Sequence, residues 1–335
     1  MLELIGRILF WLRGGSLKLL TLAGIILLIS GTFSPVGTLI WWLSQEAESL
    51  GLTNNPPKRL QTSSGANPKS SKINCYIVFL PGVGNFSTDQ LTSGEALFVD
   101  RLVQSHPNCV GVRDIFPYSA ANEGLGGERL LAPLWRFANE AEGWLDMADI
   151  FIKIRNLWRF AISADNRYGL IYNQGIATAI IDRMNTAHPI PSNRKPFKII
   201  LIGTSGGAQV ALAAAPDLDR WLDTQIVIIS LGGVFAGKDG FNAAERVYHL
   251  RGRQDWIENI GSIVFPSRWP WTVGSAFNQA RQQGNYTVSI SGPHAHDGPT
   301  GYFGEKLVGA TGVSYLDLTL QQVNQLPIWS VDDNF

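Results

Sequence analysis

The chain has 335 residues, a formal net charge of zero, and 16% charged against 45% hydrophobic residues. That balance gives no basic footprint for nucleic acid, and a low charge fraction suits a protein held against a membrane. Two cysteines, Cys75 and Cys109, are too few for a disulfide framework, and no Cys-x-x-Cys marks a metal or redox site.

From Leu19 to Leu43, "LLTLAGIILLISGTFSPVGTLIWWL" carries no charge for 25 positions. At ~1.5 Å per helical residue this exceeds the ~30 Å hydrocarbon core of a bilayer, so residues 1–48 are expected to form an anchor with one transmembrane helix. Pro35 and its neighbouring glycines are tolerated in lipid, and Trp41 and Trp42 fit an interfacial belt. A cleaved signal peptide is the alternative, but "SGTFSPVG" is a poor cleavage site. Arg7, Arg13 and Lys18 precede the segment and Glu46 and Glu48 follow it, which places the N-terminus in the cytoplasm and the main domain on the extracytoplasmic side. Residues 49–72, rich in Asn, Pro, Ser and Lys, read as a flexible tether.

The folded domain is expected over 73–335. "INCYIVFLPGVG" is an apolar strand halted at Pro-Gly, "TSGEALFVDRLVQSH" a helix and "CVGVRDIFPYS" a second strand. Cys75 and Cys109 sit near the starts of these two strands. In neighbouring parallel strands they come within bridging reach; otherwise they are two small buried residues. An insertion over about 121–167, with Trp135, Trp144 and Trp158 and helical apolar spacing, serves as a packed cover, a lid or a membrane contact. Then "YNQGIATAIIDRMN" reads as a helix, "FKIILIG" as a strand, "GAQVALAAAPDLDRWL" as a helix, and "TQIVIISLGG", "RVYHLRGRQD" and "YTVSISGP" as strands. Strands apolar on both faces and alternating with helices argue for a parallel α/β sheet covered on both sides.

The chemistry concentrates at "GTSGG". Ser205 stands between a strand and a helix, where a nucleophile elbow places its serine. Side chains at Gly203 and Gly207 would collide with the neighbouring helix and strand, and the helix N-terminus favours negative charge. A phosphate-binding turn is the competing reading, but no Gly-x-x-x-x-Gly-Lys-Ser/Thr pattern is present. A serine nucleophile needs a base and an orienting acid, in the order serine, acid, histidine. Three histidines follow Ser205. His249 lies in a buried strand, whereas His294 and His296 sit in "SGPHAHDGPTGYF" after the last strand. His296 is the preferred base and His294 the second choice. "HAHD" as a metal site lacks further ligands. Asp255, just past "HLRGRQ", is the expected acid, although it also suits a helix cap; Glu258 and Asp239 are weaker rivals. The oxyanion donors are expected at the N–H groups of Gly206 and Val83, with Gly84 close behind.

Strand-"PGVG", strand-"GTSGG"-helix, strand-"GRQD" and strand-"GPHAHDG", in that order, resemble the α/β-hydrolase superfamily from about Ile73 to the C-terminus. "SADNRYG", "SLGGVF" and "FPSRW" resemble its membrane-anchored bacterial members. The resemblance implies a mainly parallel eight-stranded sheet, a Ser-His-Asp triad and no cofactor. Pro81 stands where many lipases carry His before the oxyanion glycine, so the lipase label does not transfer with the fold. The expected activity is hydrolysis of a lipid or acyl ester at a membrane, with no metal and no nucleic acid. Acyl transfer from the same acyl-enzyme and a non-catalytic binding protein are the alternatives.

Overall fold

The computed structural model describes residues 73–83, 91–115, 117, 156–165, 167, 169–190, 197–309 and 312–329. The expected anchor, the tether, Gly84 and most of the insertion lie outside the described residues. Among the described residues no helix is long and apolar enough to cross a membrane. The chain divides into two compact units, one of residues 1–61 with 123–172 and one of 62–122 with 173–335. In the first unit the described part includes a helix over 156–164, as the insertion's apolar spacing predicts.

The second unit is built on strands β1 (Cys75–Leu80), β2 (Cys109–Val112), β3 (Lys198–Thr204), β4 (Gln225–Leu231), β5 (Arg246–Gly252) and β6 (Tyr286–Gly292). They pair in the order β2-β1-β3-β4-β5-β6, every pair parallel. All six are the strands read from apolar runs, and the described residues hold six rather than the eight that the resemblance implies.

The central strands are buried on both faces, as covered parallel strands must be. One face is a continuous cluster of Ile77, Phe79, Ile200, Ile202, Val227 and Ile229 with Phe98 and Leu102 of helix α1 (Ser93–Ser105). Helix α1 starts where Thr92 and Glu95 cap each other's backbone N–H groups, a capping box that satisfies two orphan donors. Tyr76, Val78 and Leu80 alternate with these and are also buried. The Tyr76 hydroxyl donates to the carbonyls of His188 and Pro189, just past helix α2 (Gly169–Ala187).

Cys75 and Cys109 are register partners on β1 and β2, their Cα atoms 4.3 Å apart, and they form a disulfide. The bridge closes a sequence separation of 34 residues, which restricts the unfolded chain by about 3 to 4 kcal/mol in the loop-entropy description.

Candidate active site

Ser205 follows β3 directly and precedes helix α3 (Gly207–Leu222). Its φ is 50°, a left-handed conformation that is costly for a residue with a Cβ and persists only when its surroundings over-determine it. Three hydrogen bonds do so. The Ser205 N–H donates to the Leu231 carbonyl (3.1 Å), and the Ser205 carbonyl accepts from the N–H groups of Val234 (3.0 Å) and Ala208 (3.2 Å). The end of β4 therefore clamps the turn. A Cβ at Gly203 would stand 2.5 Å from the Ala208 backbone, and one at Gly207 only 2.1 Å from the Leu80 carbonyl oxygen. Strand, turn and helix meet so closely that only glycine fits at either position.

The structure brings Ser205, Asp255 and His296 together from three separate loops. His296 Nε2 lies 2.9 Å from Ser205 Oγ, and His296 Nδ1 lies 2.9 and 3.0 Å from the two oxygens of Asp255. Asp255 also accepts from the Tyr302 hydroxyl (2.8 Å) and from the N–H groups of Ile257 (3.1 Å) and Glu258 (3.4 Å). The helix-cap reading of Asp255 does not hold, because the next helix, Asn259–Val264, has Glu258 at its N-cap and Asp255 accepts backbone N–H groups only from the turn before it. One carboxylate organises the turn after β5 and holds the imidazole.

The charges follow from this geometry. Burial pushes the Asp255 carboxyl up and is its largest single influence, yet His296, the Tyr302 hydroxyl and the Glu258 N–H together hold it below the usual carboxylate range. Burial likewise pulls His296 down, but the hydrogen bond and charge of Asp255, with Asp297 and Glu258, raise it above 6.5. An ionised Asp255 keeps the imidazole proton on Nδ1, which leaves the Nε2 lone pair facing the serine hydroxyl. Since protonated His296 cannot accept that proton, reactivity of Ser205 should be lost as pH falls through this raised value. The acid limb of a pH–rate profile is therefore expected above pH 6.5. In Asp255→Asn the raising influence goes and the burial remains, so the limb should move to lower pH as the plateau falls. A limb unmoved in Asp255→Asn would break the link between the two residues.

His294 occupies a different position, fully buried. Its ring stacks on Tyr302 with planes 4° apart, its Nδ1 meets Ser291 Oγ at 3.1 Å, and its Nε2 meets the Tyr315 carbonyl (3.1 Å) and Thr319 Oγ1 (3.0 Å). Burial pulls its pKa down, consistent with a neutral ring that donates from Nε2 and accepts at Nδ1. It positions Tyr302, whose hydroxyl accepts from the Gly252 N–H (2.8 Å) while donating to Asp255. Sequence reasoning missed Tyr302, because a tyrosine in "GPTGYF" carries no motif. It also missed Gly232, whose φ is 53° and at which a Cβ would stand 2.4 Å from Asp255 Oδ2. The glycine pair in "SLGG" was the available signal.

The remaining candidates fall elsewhere. Glu258 is buried against His249 Nε2 (3.1 Å) and Arg251 (2.6 Å), and Asp239 stands at the N-cap of the short helix α4 (Gly240–Ala243). His249 is a core residue, its Nδ1 2.9 Å from Ser230 Oγ. Gly206 caps α3 without a side-chain bond, and its N–H has no acceptor among the described residues. Val83 lies in the turn after β1, next to Gly82, at which a Cβ would stand 2.9 Å from the Ser205 Cβ. Gly206 follows the serine in sequence, and Gly82, the residue before Val83, packs against it. Among the described residues no cluster of three or more His, Cys, Asp or Glu side chains could hold a metal.

No family model matches the chain, and no curated protein matches it. A solved structure titled m3DLH is similar at 15% identity over 76% of this chain and 85% of that one, with a TM-score of 0.40. Likeness at that level carries no argument, so function rests on the site itself.

Proposed function

We propose that the chain is a serine hydrolase of the α/β-hydrolase superfamily, anchored to a membrane and cleaving a carboxylic ester of lipid or acyl type. The observation that carries this is the continuous chain Ser205 Oγ to His296 Nε2 at 2.9 Å and His296 Nδ1 to Asp255 at 2.9 Å, built on a serine with a φ of 50°.

In this reading Ser205 Oγ attacks the ester carbonyl as its proton passes to His296 Nε2, and Asp255 stabilises the imidazolium. The oxyanion is met by the N–H groups of Gly206 and Val83, with the N-terminal end of α3 adding its dipole. Collapse expels the alcohol, which takes the proton from His296. Water then attacks the acyl-enzyme by the same route in reverse, releasing the acid. The apolar segment Leu19–Leu43 motivates the lipidic substrate and the anchor. The Cys75–Cys109 disulfide supports the extracytoplasmic side, where thiols oxidise and stay oxidised.

The test is labelling of the full-length protein with a fluorophosphonate, which reacts with an activated serine. Wild type should label at one site and Ser205→Ala not at all. A folded wild type that stays unlabelled would sink the proposal in favour of a non-catalytic binding protein.

A further inference from the structure

Beyond β5 and β6, a cavity of about 950 Å³ is lined by side chains of which only Glu258, through its charge on His296, bears on the Ser205 centre. Its cationic side is Arg268, at the end of the 3₁₀ turn Pro266–Arg268 in the "FPSRW" stretch. Arg268 is only 9% exposed. Its guanidinium carbon lies 4.3 Å from the Phe235 ring centre and 5.1 Å from that of Phe277. Those rings satisfy its faces but not its N–H edges, since a guanidinium carries five donors in its plane.

Among the described residues the edges find no hydrogen-bond acceptor. Nε and Nη1 are sealed from solvent without an acceptor, which leaves Nη2 as the nitrogen open to the cavity. The nearby carboxylate, Glu258, forms ion pairs with Arg251 and His249, and although its charge acts on Arg268, its buried Oε1 makes no hydrogen bond among the described residues. Arg251, Arg268 and Arg281 thus bring three positive charges to the lining against one carboxylate. A buried, unpaired guanidinium is costly, and an anion entering from the open side offsets that cost. The exposed lining joins Asn259, Ser262 and Arg281 to apolar side chains. Ile263 is 70% exposed, Trp271 73% and Val288 44%, three large hydrophobic side chains at one mouth. An inorganic anion would leave them facing water, whereas an alkyl chain would cover them.

We propose that this cavity is a second binding site, separate from Ser205, for an anionic amphiphile: a phosphate or carboxylate headgroup on Arg268 with an alkyl chain against Ile263, Trp271 and Val288. The cavity volume lies within the range of small-molecule sites, about 300–1,000 Å³. The site does not depend on the hydrolase proposal, so Ser205→Ala should leave its affinity unchanged.

Isothermal titration calorimetry of the full-length chain would use hexyl phosphate as probe, with hexanol and inorganic phosphate as its two halves. Hexyl phosphate should bind about tenfold or more tighter than either half, and Arg268→Gln should weaken it by about tenfold or more. Equal affinity for hexanol would overturn the headgroup assignment. Equal affinity for inorganic phosphate would overturn the amphiphile. Unchanged binding in Arg268→Gln, or no binding by wild type, would overturn the site. Should Arg268→Gln fail to fold, exposed Ile263→Asp places a carboxylate at the mouth and is expected to weaken hexyl phosphate to the same degree. Unchanged affinity there overturns the proposal equally.

Discussion

His296→Ala is expected to lower kcat for hydrolysis of a soluble ester by about four to six orders of magnitude, and His294→Ala to leave kcat within about tenfold of wild type. The two residues are one position apart in "HAH", yet their surroundings assign them opposite tasks. His296 Nε2 is 2.9 Å from Ser205 Oγ, so its loss removes the proton acceptor without which the hydroxyl is a weak nucleophile. His294 reaches Ser291, Tyr315 and Thr319, and its ring bears on the site by stacking on Tyr302. Its removal should appear instead as lost stability, about 2 to 4 kcal/mol for a buried ring and its hydrogen bonds. Steady-state kinetics on an ester substrate, paired with urea unfolding of each variant, separates the two effects. Equal losses of kcat from both substitutions would refute the division of labour.

Gly207→Ala is expected to destabilise the fold by about 3 kcal/mol or more, although it adds a single methyl to a residue in a helix, where alanine is ordinarily the better choice. The new Cβ would stand 2.1 Å from the Leu80 carbonyl oxygen and 2.7 Å from that of Pro81. Both are backbone atoms at the end of β1, so nothing flexible can swing aside. Either α3 lifts from β1 or the turn opens, and each route moves Ser205 away from His296. Gly274→Ala is the control, since nothing lies within 4 Å of its Cβ position and its φ is not positive. Denaturant midpoints should fall sharply for Gly207→Ala and stay near wild type for Gly274→Ala. Matching midpoints would show that the elbow is looser than its geometry says.

Much of this was legible in the chain. "CYIVFL" is apolar throughout, and "KIILIGT" and "QIVIISL" carry unbroken apolar runs over Ile199–Gly203 and Ile226–Ile229, a pattern that fits strands covered on both faces, and each became a parallel strand. The elbow was readable because its demands are local. A strand, a turn with no room for a Cβ and a helix start must all fall within ten residues, and "ILIGTSGGAQ" spells them out. The order of Ser205, Asp255 and His296 was readable as well, since each follows a strand at the same end of the sheet.

What the chain alone determined was therefore the sheet's strands, the elbow and a short roster of candidate partners, because these depend on contacts between residues close in sequence. Only the tertiary structure decided that His296 and not His294 meets the serine, that Asp255 both caps its turn and holds the imidazole, and that Cys75 and Cys109 are register partners joined by a disulfide. It also supplied Tyr302, Gly232 and the unpaired guanidinium of Arg268, none of which a motif announces. The physical reason is the same in each case. A hydrogen bond, a steric limit or a buried charge between residues tens of positions apart exists only once the sheet has set the distance between them, and composition and spacing hold no record of that distance.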